Sequence, residues 1–181
     1  MLLLPERMET TRLALQRLKY EDAEEIFYAY ASKSQATQFV TWPTHQQMAD
    51  TRRYLRVAIP AWDAGLEFSF TIRLAEDNRL VGSIGAVNER GKVQFGYIVS
   101  PVWWNKGIAT EACQALLRQL SDQQYVFRIW TFVDVENLAS IQVLRKCGLV
   151  EEARLPRWHK FVNQKDQPKD CIFFRYPLRP S

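Results

Sequence analysis

A strand, a short loop and the start of a helix follow one another in the segment FGYIVSPVWWNKGIATEA, residues 95–112. Gly107 and Ala109 are small, so backbone N–H groups stay exposed at the positive end of the helix dipole, and Lys106 adds a cation beside them. These features favour an anion such as a phosphate group at the helix start. A glycine after a strand is also typical of a simple turn, and the segment is neither a P-loop nor a G-x-G-x-x-G loop.

A second segment, NLASIQVLRKCGL at residues 137–149, begins with Asn137, a residue type that caps helices. Ser140 follows in the first turn of this helix, where its hydroxyl can point either to solvent or toward a ligand. Each residue has an ordinary structural explanation when it is considered alone. Together the two segments favour a functional interpretation over the purely structural one.

In this order the two segments resemble the GCN5-related N-acetyltransferases (GNAT). The likeness rests on S-P-x-x-W-x-K-G-x-A-T-E-A at residues 100–112 and on N-x-x-S-x-x-V-L-x-K-x-G at residues 137–148. The segments TTRLAL at residues 10–15 and EDA at residues 21–23 also resemble the subgroup that acetylates the N-terminal alanine or serine of ribosomal proteins. The likeness extends over residues 10–178, which is nearly the whole chain.

The resemblance implies a single N-acetyltransferase domain over residues 1–181. Its α/β fold would contain a mixed, mostly antiparallel, splayed sheet with helices on both faces. The strand that ends at Val99 would open toward acetyl-coenzyme A, and the backbone groups of Tyr97, Ile98 and Val99 would pair with the pantetheine arm. The Val99 N–H would also stabilise the oxyanion that forms on the thioester.

The resemblance further implies that the backbone amides of six consecutive residues cradle the pyrophosphate: Asn105, Lys106, Gly107, Ile108, Ala109 and Thr110. Asn137 would contact the cofactor arm, and Ser140 would lie near the sulfur and protonate the departing thiolate. Trp104 and Asn105 depart from the family pattern, which commonly has Arg or Gln and then Gly. Asparagine tolerates positive φ, so the turn can form, but the missing basic side chain lowers the expected affinity for phosphate.

His159 stands where the subgroup can carry a glutamate, on the strand that follows the second helix. An imidazole titrates near neutral pH, so it can take the proton that an ammonium group must lose before it attacks, directly or through one water. The alternative left open is that His159 is an ordinary surface residue beside Arg157 and Lys160.

Hydrophobic patterns predict the elements that would position these residues. They indicate a strand at residues 11–17, an amphipathic helix that starts at Glu21, and a helix with a capping box at Thr44 and Gln47 that Pro60 should kink or end. Three antiparallel strands are expected within residues 68–99. A strand and two helices follow, with the helices at residues 107–123 and 137–147, the strand at residues 126–133, and two more strands at residues 149–157 and 171–178.

The composition excludes several classes of protein. The 181 residues are 47% hydrophobic and 24% charged, which is typical of one folded domain rather than a disordered chain. The net charge of +4 favours an anionic ligand, but basic and acidic residues are interleaved, so no nucleic-acid-binding surface is predicted. No metal site is expected from the two histidines and three widely spaced cysteines, of which Cys113 and Cys147 are expected in the core. No apolar run is long enough for a leader or a membrane span, so a cytoplasmic protein without membrane contact is expected.

We therefore predict an acyl-CoA-dependent N-acetyltransferase that moves an acetyl group from acetyl-CoA to a primary amine. A protein N-terminus is one candidate acceptor, and a homodimer is one candidate assembly. Two alternatives stay open: a CoA-binding regulatory module without turnover, and an acetyltransferase of a small-molecule amine. Residues 39–45 and 163–170 are predicted to form the rims of the acceptor groove.

Overall fold

The described residues form one open sheet of eight strands. The computed structural model describes residues 2–178. The strands lie in the spatial order β1-β2-β3-β4-β5-β6-β8-β7, and every neighbouring pair is antiparallel except β5 and β6. Their bounds are β1 Arg7–Glu9, β2 Leu13–Arg17, β3 Glu67–Leu74, β4 Leu80–Glu89, β5 Lys92–Val99, β6 Arg128–Asp134, β7 Val150–Lys160 and β8 Pro168–Tyr176. The predicted mixed, mostly antiparallel sheet is confirmed.

In the described part of the chain, five α-helices flank the sheet: α1 (Ala23–Ile26), α2 (Ser34–Thr37), α3 (Met48–Asp63), α4 (Ile108–Ser121) and α5 (Leu138–Lys146). These helices cover both faces of the sheet. The contacts made on either side of β4 at Ser83 and Ile84 show this. Ser83 is hydrogen-bonded to Tyr30, in the turn that continues α1, whereas Ile84 lies opposite Tyr97, which is bonded to Ser140 of α5. Because successive strand residues point to opposite faces, α1 and α5 lie on opposite sides of the sheet.

The two helices nearest the predicted site begin and end where the sequence predicts. Gly107, at φ 76°, precedes α4, and the apolar face of this helix is buried. The side chain of Asn137 accepts a hydrogen bond from the Ser140 N–H and so caps α5. Gly148, at φ 83°, lies two residues beyond α5 and allows the chain to reverse direction.

The helical region before β3 differs from the prediction in three ways. The helix expected from Glu21 consists of a 3-10 turn (Tyr20–Asp22), α1 and a π-type turn (Phe27–Ala31). The start of α3 is capped by Gln47 and Asp50 rather than by Thr44. Pro60 does not end α3, which continues to Asp63. A proline has no backbone N–H, so one helical hydrogen bond is lost, but only the last three residues of the helix follow Pro60. Within residues 2–178, we find no helix with both the length and the apolar character of a membrane span.

Candidate active site

Strands β5 and β6 lie side by side only where each strand begins. Residues Lys92–Gln94 of β5 pair with Arg128–Trp130 of β6, and the described pairing of these two strands stops there. Beyond this point β6 pairs with β8, while β5 continues to Val99 beside β4 alone. A gap therefore opens in the sheet next to the second half of β5.

The backbone N–H groups of Tyr97 and Val99 point into this gap. Ser100 donates its N–H to the carbonyl of Val81 at 2.8 Å, so these two residues form a hydrogen-bonded pair of the antiparallel β4–β5 ladder. Such pairs alternate with non-bonded pairs along a ladder. Tyr97 and Val99, opposite Ile84 and Gly82, occupy the non-bonded positions. Their N–H groups therefore face away from β4, toward the side of β5 where a further strand could pair. The backbone of Ile98 instead faces β4.

The loop between β5 and α4 contains two residues with left-handed backbone. Asn105 has φ 59° and Gly107 has φ 76°. Asn105 therefore adopts the positive φ that the sequence analysis expected asparagine to tolerate. The indole Nε1 of Trp104 donates to the carbonyl of Val99 at 2.8 Å and ties the loop to the end of β5. Trp104 thus orders the loop, a role that its departure from the family pattern did not suggest.

The remaining residues of this loop differ in exposure. Lys106 is exposed, and its ammonium lies 4.4 Å from the centre of the Trp103 ring. Ile108 is buried in the core, whereas Ala109 and Thr110 are half-buried in the first turn of α4. The first turn of a helix has N–H groups without helical partners. The loop therefore presents a cluster of backbone donors and one cation beside the gap.

The hydroxyl of Ser140 lies on the same face of the sheet as α4. Its Oγ is 2.8 Å from the phenol oxygen of Tyr97, on the strand that borders the gap. Burial raises the pKa of Tyr97, so its hydroxyl stays protonated and is available as a donor. When Tyr97 donates to the Ser140 oxygen, the Ser140 proton is free for transfer to another group. The sequence had singled out only the backbone of Tyr97, because nothing local links its side chain to Ser140.

His159 lies on the opposite face of the sheet. Its ring contacts those of Phe132 and Phe161, with centroid distances of 5.4 Å and 4.7 Å. On β6, Phe132 alternates with Thr131 and Val133, and Val133 belongs to the core that includes α4 and α5. His159 and Ser140 therefore lie on opposite faces of the sheet, and the gap beside β5 is an opening between these faces.

The two loops predicted to be rims of the acceptor groove are joined by Asn163. Its amide nitrogen donates to the carbonyls of Thr37 and Trp42 at 2.7 Å and 2.9 Å, and its amide oxygen accepts from the Thr44 N–H at 3.0 Å. The structure thus places residues 39–45 against the β7–β8 loop.

His45, at the end of the first rim loop, is a second imidazole in this region. Its Nδ1 is 2.8 Å from the Thr51 hydroxyl, and its ring lies 5.1 Å from the ring of Trp42. Burial lowers the pKa of His45, although the carboxylate of Asp50 opposes this effect, so the neutral ring is favoured. The sequence placed His45 in a rim but did not identify it as a possible base.

Comparison with known proteins agrees with this geometry. Residues 12–150 match the family described as "Acetyltransferase (GNAT) domain". The chain belongs to the GNAT acetyltransferases. A curated relative of the acetyltransferase, "Uncharacterized N-acetyltransferase p20" of Bacillus licheniformis, is 26% identical over 158 residues, covering 86% of this chain and 88% of that protein. The predicted family and the predicted class of acyl-CoA-dependent enzyme are confirmed.

Solved structures share the fold of the acetyltransferase at low sequence identity. RimL, described as a ribosomal L7/L12 alpha-N-protein acetyltransferase in complex with coenzyme A, has a TM-score of 0.86 and 17% identity, covering 96% of this chain and 98% of that chain. The microcin C7 self immunity acetyltransferase MccE, in complex with acetyl-CoA and AMP, has a TM-score of 0.85 and 16% identity, covering 96% and 97%. The GNAT family uses acetyl-CoA as its acyl donor.

Replacing Gly107 by glutamate is expected to raise the Kd of acetyl-CoA at least tenfold, or about 1.4 kcal/mol. The backbone at φ +76° strains any L side chain, a Cβ there would lie 3.2 Å from the Arg12 guanidinium, and the new carboxylate would repel a pyrophosphate. Titration calorimetry of both proteins measures the difference. Gly65→Glu is the matched control, since Gly65 has φ +69° but open space around it. Equal affinity of folded Gly107→Glu and the parent protein would contradict the prediction that residues 105–110 bind the pyrophosphate.

Proposed function

We propose that this acetyltransferase transfers the acetyl group of acetyl-CoA to a primary amine, and that the two substrates approach from opposite faces of the sheet. The observation that carries this proposal is the gap beside β5, into which the N–H groups of Tyr97 and Val99 point and beside which Tyr97 is bonded to Ser140. A ligand arm that pairs with β5 would fill this gap as a missing strand. RimL and MccE, which share the fold, are described in complex with coenzyme A and with acetyl-CoA, which supports coenzyme binding by this fold.

The chain supplies binding groups for the pantetheine arm and for the pyrophosphate of acetyl-CoA. The pantetheine arm pairs with Tyr97 and Val99, beside the side chain of Asn137, whose oxygen is already used to cap α5. The pyrophosphate lies on the backbone N–H groups of residues 105–110, at the positive end of the α4 dipole. Lys106 adds a positive charge at the edge of this loop.

In the proposed chemical step, His159, Val99 and Ser140 each have one role. His159 takes a proton from the ammonium group, directly or through a water, because only the neutral amine can attack a carbonyl carbon. The amine nitrogen then bonds to the thioester carbon, and the Val99 N–H stabilises the negative charge on the oxygen. The carbon–sulfur bond breaks, and Ser140 gives its proton to the departing thiolate. The attacking nitrogen loses its second proton, which passes through water to the Ser140 oxygen, and His159 releases its own proton to solvent.

We propose a protein N-terminus as the acceptor, because the face that carries His159 presents an aromatic side chain to solvent. Trp158 is 52% exposed, and its ring lies edge-on against that of Phe173 with 5.2 Å between the centroids. An extended chain end can lie along such a surface and bury an apolar side chain against the rings. A small planar amine is the second candidate, since the rings of Trp130 and Phe173 are stacked at an interplanar angle of 7°.

Thiol release from acetyl-CoA in the presence of different amines tests the proposed function. The panel contains short peptides with free N-termini, the same peptides with blocked N-termini and a free lysine, small aromatic amines, and polyamines. We expect turnover with the free N-termini, and mass spectrometry should locate the acetyl group on the α-amine. Tight binding of acetyl-CoA without turnover on any of these amines would favour the regulatory module instead. Turnover of the aromatic amines alone would favour the second candidate.

Replacing Asn163 by alanine is expected to raise the KM of the amine about fivefold, which corresponds to about 1 kcal/mol, the net value of one hydrogen bond. The change removes the hydrogen bonds that Asn163 makes with Thr37, Trp42 and Thr44, while the β5–β6 gap and residues 105–110 lie elsewhere. The KM of acetyl-CoA should stay unchanged. Val162→Ala, at an exposed neighbouring position, is the control. An equal rise in both KM values would show that Asn163 does not act on the acceptor side.

A further inference from the structure

The turn between β1 and β2 is bound to the first turn of α4 through one carboxylate. Glu111 accepts hydrogen bonds from the Thr10 hydroxyl at 2.6 Å, from the Arg12 N–H at 3.0 Å and from the Arg12 Nε at 2.7 Å. Arg12 also donates from Nη1 to the carbonyl of Lys106 at 2.9 Å. We call Thr10, Arg12 and Glu111 the clamp. It joins an edge of the sheet to the loop that we propose as the pyrophosphate site.

The bond from Arg12 to Lys106 orients one peptide group of that loop. The C=O and N–H groups of a trans peptide point in opposite directions, and no described peptide bond is cis. Since the Lys106 carbonyl faces Arg12, the N–H of Gly107 faces the other way. Asn105 and Gly107 both have positive φ, so this loop depends on its neighbours to keep its shape.

The clamp also controls the charge of Glu111. A carboxylate in the first turn of α4 would repel an anion bound at the start of that helix. Burial by itself would raise the pKa of Glu111, but hydrogen bonds from Thr10 and Arg12 lower it below its usual range. The carboxylate is therefore ionised, and the Arg12 guanidinium, 2.6 Å away, balances its charge.

We propose that Arg12 is a positioning residue for acetyl-CoA, which turns the Gly107 N–H toward the pyrophosphate and neutralises the carboxylate of Glu111 beside it. This inference rests on the proposed function of the loop. Arg12 lies on the turn before β2 and contacts the loop at Lys106, whereas the loop contacts Val99 through Trp104. Loss of Arg12 should therefore weaken binding of the coenzyme and leave the chemical step unchanged.

Steady-state kinetics of Arg12→Ala test the clamp. The KM of acetyl-CoA should rise at least tenfold, while kcat at saturating acetyl-CoA stays within twofold of the parent enzyme. Arg12→Lys keeps the charge but not the forked donor geometry, so an intermediate KM is expected. Arg7→Ala is the matched control, because Arg7 lies on the same edge of the sheet and its described ion pair is with the exposed Glu9.

A second variant separates the two actions of Arg12. In the Arg12→Ala, Glu111→Gln double variant the unpaired carboxylate is gone, so the KM of acetyl-CoA should fall at least threefold from its value in Arg12→Ala. A merely structural role of Arg12 predicts no such recovery, because the glutamine cannot restore the lost contacts.

Calorimetry of the parent protein with acetyl-CoA distinguishes failure of the clamp from failure of the proposed function. Absence of binding to the parent protein would refute the loop itself. If the parent protein binds acetyl-CoA, an unchanged KM in Arg12→Ala, or a fall in kcat alone, overturns the role of Arg12. If Arg12→Ala does not fold, Arg12→Lys decides the question, and a KM equal to that of the parent enzyme overturns the proposal.

Discussion

Ser140→Ala is expected to lower kcat at least a hundredfold at pH 7 and to leave the Kd of acetyl-CoA within twofold. Loss of a positioned proton donor has this order of effect, about 10² to 10⁴. The substitution removes only the side-chain oxygen, while the bond from the Ser140 N–H to Asn137 that caps α5 is retained. Steady-state kinetics and calorimetry measure the two quantities separately.

Tyr97→Phe is the matched companion of Ser140→Ala. It keeps the buried ring but removes the hydroxyl that lies 2.8 Å from Ser140, so Ser140 loses the donor that orients its own proton. We expect a smaller loss of kcat, about tenfold, at the low end of general-acid effects. If Ser140→Ala retains kcat within threefold of the parent enzyme, solvent rather than Ser140 protonates the thiolate.

His159→Ala is expected to lower kcat by about a hundredfold at pH 7, within the usual range for loss of a general base. The loss should become smaller as the pH rises, because a growing fraction of the amine is then neutral without help from the enzyme. The pH–rate profiles of variant and parent should therefore converge at high pH. Profiles that overlay at every pH would remove His159 from the mechanism.

Two variants distinguish the loss of a base from the loss of aromatic packing at His159 and from a base at His45. His159→Phe keeps an aromatic ring against Phe132 and Phe161 but provides no base, so it should match His159→Ala if proton transfer is what is lost. His45→Ala removes the other imidazole of the region, whose neutral form is favoured because burial lowers its pKa. A large loss in His45→Ala together with a normal His159→Ala would assign the base to His45.

The parts of the site that depend on local sequence could be predicted. Gly107 before α4 and Asn137 before α5 act as expected, since a helix start depends on a few neighbouring residues. The contacts made across the fold could not be predicted. Tyr97 meets Ser140 over a sequence separation of 43 residues, and Arg12 meets Glu111 over 99, so both pairs depend on how the strands and helices pack.

Trp104 and Pro60 show why some local patterns were misleading. Trp104 stands where a basic side chain is common in the family. Its role in ordering the loop follows from the hydrogen bond that its indole donates to the carbonyl of Val99, which the sequence does not reveal. Pro60 is a typical helix breaker, but its position near the end of α3 makes the lost hydrogen bond easy to tolerate. The effect of each residue depends on where it lies in the folded structure, which the sequence pattern alone does not specify.

The short pairing between β5 and β6 affects how firmly the two halves of the sheet are joined. Strands β1–β5 form one half of the sheet and β6, β8 and β7 the other, and the backbone ladder between these halves covers only Lys92–Gln94 and Arg128–Trp130. A substrate arm that pairs along the rest of β5 would fill the interrupted part of the ladder. A ligand that binds only the folded state stabilises it. Bound acetyl-CoA would therefore hold the two halves of the sheet together and raise the free energy of unfolding.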